Sequence, residues 1–66
     1  MKVVLRNTQT GHYFQLSKQW THNSQEALDF GQIDRAIKTA CEARLDGVEV
    51  VCLFEHPSYD LRLPIR

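Results

Sequence analysis

Residues 32–45 read QIDRAIKTACEARL, and their apolar spacing permits a single secondary structure. Ile33, Ala36, Ile37, Ala40 and Cys41 fall at the i, i+3, i+4, i+7 and i+8 positions of one helical face, with Gln32, Arg35, Thr39 and Glu42 opposite. Asp34 and Lys38 stand four apart in the favourable order on the exposed side. Asp46-Gly47 follows, so the pattern predicts a helix over 32–45 closed by a left-handed glycine at position 47. Arg44 lies on the apolar stripe; it is expected to lay its stem over the core and to meet a carboxylate such as Glu49. A helix with one apolar stripe needs a sheet to lie on.

The flanking chain supplies that sheet. Val3, Val4 and Leu5 make Lys2 to Arg6 a strand covered on both sides, hence a central one. Asn7-Thr8-Gln9-Thr10-Gly11 is a hairpin loop ending in a glycine that can take positive φ. His12 to Leu16 is the return strand, with His12, Phe14 and Leu16 on one face and Tyr13 and Gln15 on the other. Trp20 is expected to plug one end of the core from a loop. Asn23 or Ser24 caps a short turn that includes Glu26. Val48 to Glu55 is the third strand, apolar on both faces at its centre and ended by His56-Pro57. Leu61, Leu63 and Ile65 alternate with Arg62, Pro64 and Arg66, an edge strand or extended arm confined to an edge by Pro64.

The element order is therefore β-β-α-β: one small α+β domain over residues 1–66, with a three-stranded antiparallel sheet in the order 2-1-3 and the helix on one face. In that arrangement the second and third strands run the same way, so His12 and His56 lie at opposite ends. Trp20, Phe30 and Tyr59 are expected near His56, and Arg44, Asp46 and Arg6 near His12.

Composition narrows function by exclusion. Eight lysines and arginines balance eight acids, which argues against whole-protein attraction to nucleic acid or anionic lipid. No run of 18 apolar residues exists, and the N-terminal apolar run is too short for a signal-peptide core; the chain is expected to be soluble and cytoplasmic, with no membrane partner. Cys41 and Cys52 are expected to be reduced and buried. Two cysteines and three histidines occur without a Cys-x-x-Cys or a helical histidine pair, and the three glycines leave no phosphate-cradling loop. No metal site, cofactor or catalytic residue is expected, and the chain reads as non-enzymatic.

Thr10-Gly11-His12-Tyr13-Phe14-Gln15, Trp20-Thr21, Ala27-Leu28-Asp29-Phe30, Ala36, Ala40 and Val48-Glu49-Val50-Val51 together resemble small uncharacterised bacterial proteins. The likeness spans most of the chain and rests on turn, core and helix-packing positions. It implies a shared fold and carries over no activity.

One helix covers one sheet face, and a second face carrying Val4 and Val51 must be covered by something else. The leading expectation is a protein–protein interaction module, homodimeric through that face or through the C-terminal arm, with Val4, Tyr13, Val51, Leu53, Leu61 and Leu63 as contact residues. Within a monomer, the arm would instead fold back over that face. The alternative is a nucleic-acid-binding accessory protein that uses the basic hairpin through Lys2, Arg6, Tyr13, Lys18 and Trp20. Few cations and a nearby acidic helix disfavour it.

Overall fold

The structure is a computed structural model that describes residues 1–16, 19–54 and 60–65. It is an α+β fold in which one helix packs on an antiparallel sheet. The strands are β1 (Lys2–Asn7), β2 (Tyr13–Phe14), β3 (Trp20–Thr21), β4 (Val48–Leu53) and β5 (Leu61–Pro64), and the helix is α1 (Ile33–Glu42). The spatial order is β3-β2-β1-β4-β5. The expected 2-1-3 order is the centre of this sheet; β5 is the C-terminal segment expected as an edge strand or arm, and β3 is a further strand that the sequence pattern did not indicate.

β1 is central because it is apolar on both faces. It pairs along its full length with β4, Val3 opposite Cys52 and Val4 opposite Val51, and at Arg6 with Tyr13 of β2. Val3, Val4 and Leu5 are all fully buried. The β1–β2 loop closes as its composition requires. The Asn7 side-chain oxygen accepts the Gln9 and Thr10 N–H groups at 2.8 and 3.1 Å, and Gly11 takes φ +77° while its N–H bonds the Asn7 carbonyl at 2.8 Å.

The return strand is shorter than expected. It keeps only Tyr13 and Phe14, and the chain then turns again: Gln15 N–H donates to the Gln19 carbonyl at 2.7 Å. Leu16, expected beside Phe14, is exposed. Trp20, expected in a loop, lies in β3 opposite Phe14. Its ring meets the Phe14 ring edge-on at 5.5 Å, and Phe30 stacks on the other side of Phe14 at 6.2 Å.

α1 begins at the Val3 end of the sheet, where Phe30 N–H donates to the Val3 carbonyl at 2.8 Å. Ala36 and Ala40 are buried against β1 and β4, where small side chains let the helix lie close. The helix ends at Glu42, short of the expected residue 45. Arg44, not Gly47, takes the left-handed position at φ +53°. The Leu45 N–H then reaches back to the Ala40 carbonyl at 2.9 Å and the Arg44 N–H to Cys41 at 3.2 Å, the double bond pattern of a Schellman cap. Gly47 also has positive φ, but it serves the entry to β4, where its carbonyl accepts both the N–H and the hydroxyl of Thr8.

Period-two alternation divides the buried residues between the faces. Val3, Leu5, Phe14, Val48, Val50 and Cys52 form the core under α1, joined by Trp20, Leu28, Phe30, Ile33, Leu45 and Ile65. Val4 and Val51 form a second cluster on the opposite face with Ala27, flanked by Tyr13 and Leu53. The second face is therefore covered at its centre by the chain itself. The covering piece is the 3-10 turn Ser24–Glu26 and Ala27 after it, and neither a partner nor the C-terminal arm is needed there.

Candidate functional site

The turn over the second face is fixed by local chemistry that begins in the sequence. Asn23 is the cap: its side-chain oxygen accepts the Gln25 N–H at 2.9 Å. Glu26 does not close a capping box onto Asn23. Its carboxylate accepts the Thr21 hydroxyl at 3.0 Å, and the Thr21 oxygen in turn accepts the Asn23 N–H at 3.1 Å. Lys2 clamps the turn from below, donating to the Ser24 and Gln25 carbonyls at 2.9 and 3.0 Å. Together these bonds hold Ala27 down on Val4 and Val51.

That construction uses much of the material expected for nucleic acid. Lys2 is bound to the turn, and Arg6 pairs with the buried Glu49 at 3.1 Å. The carboxylate expected to meet Arg44 is thus held by Arg6, directly opposite it in the β1–β4 register. Arg44 itself is exposed. Trp20 packs on Phe14, Tyr13 is half-buried beside Val4 and Val51, and Lys18 lies outside the described residues. Of the four described side chains in this set, Lys2 and Arg6 are engaged within the chain and Tyr13 and Trp20 are partly buried.

The six residues expected at a protein interface separate into two groups. Val4 and Val51 are buried within the chain, with Tyr13 and Leu53 partly buried around them. Leu61 and Leu63 stand on the other side. β5 pairs Leu61 with Cys52 and Leu63 with Val50, so both side chains point to the helix-bearing face. There α1 lies over β1 and β4 and leaves β5 uncovered. Leu61 is 54% and Leu63 41% exposed, and Ile37 on the helix is 38% exposed. A right-handed helix running parallel to β1 with Ala36 and Ala40 on the sheet turns Ile37 and Cys41 to the flank above β4 and β5. Cys41, expected buried, is exposed for this reason, whereas Cys52 is buried; both are free thiols.

β5 is also an outer strand. Ile65 N–H donates inward to the Val48 carbonyl at 3.2 Å, so by alternation Arg62 and Pro64 turn their backbone groups outward. Pro64 carries no N–H, which leaves Arg62 as the one outward donor of this strand. The Asp60 carboxylate accepts the Phe54 N–H at 2.9 Å and so ties the start of β5 to the end of β4.

No family model, curated protein or solved structure matches the chain.

Open depressions on the remaining surface include two among the described residues. One is lined by Gln15, Leu16, Gln19 and residues 26–29, the other by Met1, Lys2, Ser24, Gln25, Leu53 and Phe54. Asp29, at the rim of the first, was not singled out by sequence. Its Oδ1 accepts the Val3 N–H at 3.0 Å and the Gly31 N–H at 2.9 Å. These two bonds, Val3 first, hold its carboxyl below the ordinary value of 3.8. No described helix is long and apolar enough to cross a membrane. His56 and Tyr59, expected at one end of the sheet, lie outside the described residues.

Proposed function

We propose that the chain is a non-enzymatic, cytoplasmic interaction module that associates with a second copy of itself through β5 and the adjoining flank of α1. The observation that carries this reading is the exposure of Leu61 and Leu63 on the helix-bearing side, next to Ile37. A two-fold axis beside β5 would set the two leucines against their own symmetry mates, the self-complementary contact that a closed dimer requires. The small core of a 66-residue chain gains from such burial. Val4 and Val51 take no part in it, because Ala27 already covers them. Two free thiols fit a reducing compartment.

Sedimentation equilibrium across a wide concentration range tests the proposal. The wild-type chain should associate to a dimer, and Leu61→Glu and Leu63→Glu should each give a monomer with an unchanged far-UV spectrum. A wild-type monomer at high micromolar concentration, or association unaltered in both variants, would overturn it.

A further inference from the structure

His12 and His22 belong to no metal-binding motif in the linear sequence, yet strand pairing brings them together. β2 and β3 pair Phe14 with Trp20 and Tyr13 with Thr21. One more step along this antiparallel register sets His12 opposite His22, both on the face of Phe14 and Trp20. Their rings lie 6.0 Å apart, centre to centre, tilted by 47°.

The backbone at both positions is held. The His12 carbonyl accepts the Asn7 N–H at 2.7 Å and its own N–H bonds the Thr10 hydroxyl at 3.2 Å. His22 sits between Thr21 and Asn23, both anchored in the turn network. Among the described residues, no hydrogen bond engages either imidazole, and His22 is exposed.

We propose that His12 and His22 form a two-histidine chelate for a divalent transition-metal ion of the class that imidazole favours, with zinc, nickel and copper(II) as its members. An imidazole nitrogen binds such an ion at about 2.0–2.1 Å, which puts each ring centre roughly 3 Å from the metal and the two centres about 5 Å apart at a tetrahedral angle. The observed separation of 6.0 Å is close to that figure. No group of three or more His, Cys, Asp or Glu occurs among the described residues, so water completes the coordination shell. The ion would bridge β2 to β3, two-residue strands at one edge of the sheet, and so couple metal binding to the folding of that hairpin.

The test is a titration of the full chain with zinc at neutral pH, followed by the NMR signals of the histidine rings and by thermal melting. The His12 and His22 rings should respond together with one dissociation constant, the His56 ring should not follow them, and zinc should raise the melting temperature. His12→Gln and His22→Gln should each weaken binding at least tenfold and remove the thermal shift, whereas His56→Gln and Cys41→Ser should leave both unchanged. Wild-type affinity in either single glutamine variant, or dependence on His56 or Cys41, overturns the proposal. Should a glutamine variant fail to fold, the wild-type spectra decide: two rings with separate constants, or no response, overturn it equally.

Discussion

The Asp29 carboxylate accepts the Val3 N–H at 3.0 Å and, through the same oxygen, the Gly31 N–H at 2.9 Å. One exposed side chain thus ties the start of the central strand to the approach of the helix. Asp29→Ala leaves the Val3 N–H without this partner and should cost about 1–2 kcal/mol, lowering the melting temperature by several degrees. Asp29→Asn keeps an acceptor and should cost less.

The same bonds predict a pH dependence. Because the folded carboxyl titrates below its ordinary value of 3.8, its contribution is complete above the unfolded value and is lost as pH falls through the folded one. Urea unfolding between pH 7 and pH 2 should therefore show an acid limb below about pH 4 that is shallower in Asp29→Asn.

Arg44 holds a conformation that favours glycine, at φ +53°. Relieving a left-handed non-glycine residue at a helix end is worth about 1 kcal/mol. Arg44→Gly should raise the urea midpoint with no change in slope. Gly47→Ala should lower it, since Gly47 has φ +66° and its left-handed geometry is needed to enter β4.

Arg6 and Glu49 form a cross-strand ion pair whose acid is buried. Removing one partner strands a desolvated charge, so Arg6→Ala should destabilise by about 2–3 kcal/mol. The double variant Arg6→Leu with Glu49→Leu should recover most of that loss. A double-mutant cycle in urea measures the coupling.

Val4 is fully buried by Ala27 and Val51 on the face opposite the helix. Val4→Ala should cost about 2 kcal/mol from lost methyl burial and the cavity left behind. The loss should be the same at low and high protein concentration, because the cover comes from the same chain. A loss confined to high concentration would place the cover on a partner instead.

Features that rest on periodicity were legible in the sequence. The alternation of Ile33, Ala36, Ile37 and Ala40 permits only a helix, and the valine run of β1 permits only a strand covered on both sides. The hairpin glycine at position 11 and the edge proline at position 64 are likewise local signals read correctly. What was hidden depends on competition between distant parts. Leu16 continues the apolar alternation of β2, yet the chain turns before it so that Trp20 can pair with Phe14. Gly47 is the better helix stop by propensity, but the hairpin loop claims it through Thr8, and Arg44 takes the strained position. Ala27 shows no sign in sequence that it covers a sheet face, since the turn before it is polar and acts through its backbone carbonyls. The approach of His12 to His22 follows from the β2–β3 register, which becomes readable only once that second hairpin is known.

β1 is the hub of the sheet, and its long partner β4 lies at the far side of the helix in sequence. A growing or refolding chain therefore presents three consecutive apolar residues, Val3, Val4 and Leu5, well before Val50, Val51 and Cys52 can cover them. The β1–β2 and β2–β3 turns can close early from local signals, but the valine strand stays half-paired until residue 53 is available. Loop-closure entropy weighs more on that long-range pairing than on the local turns. The interval before it is when the chain is most open to edge-to-edge association.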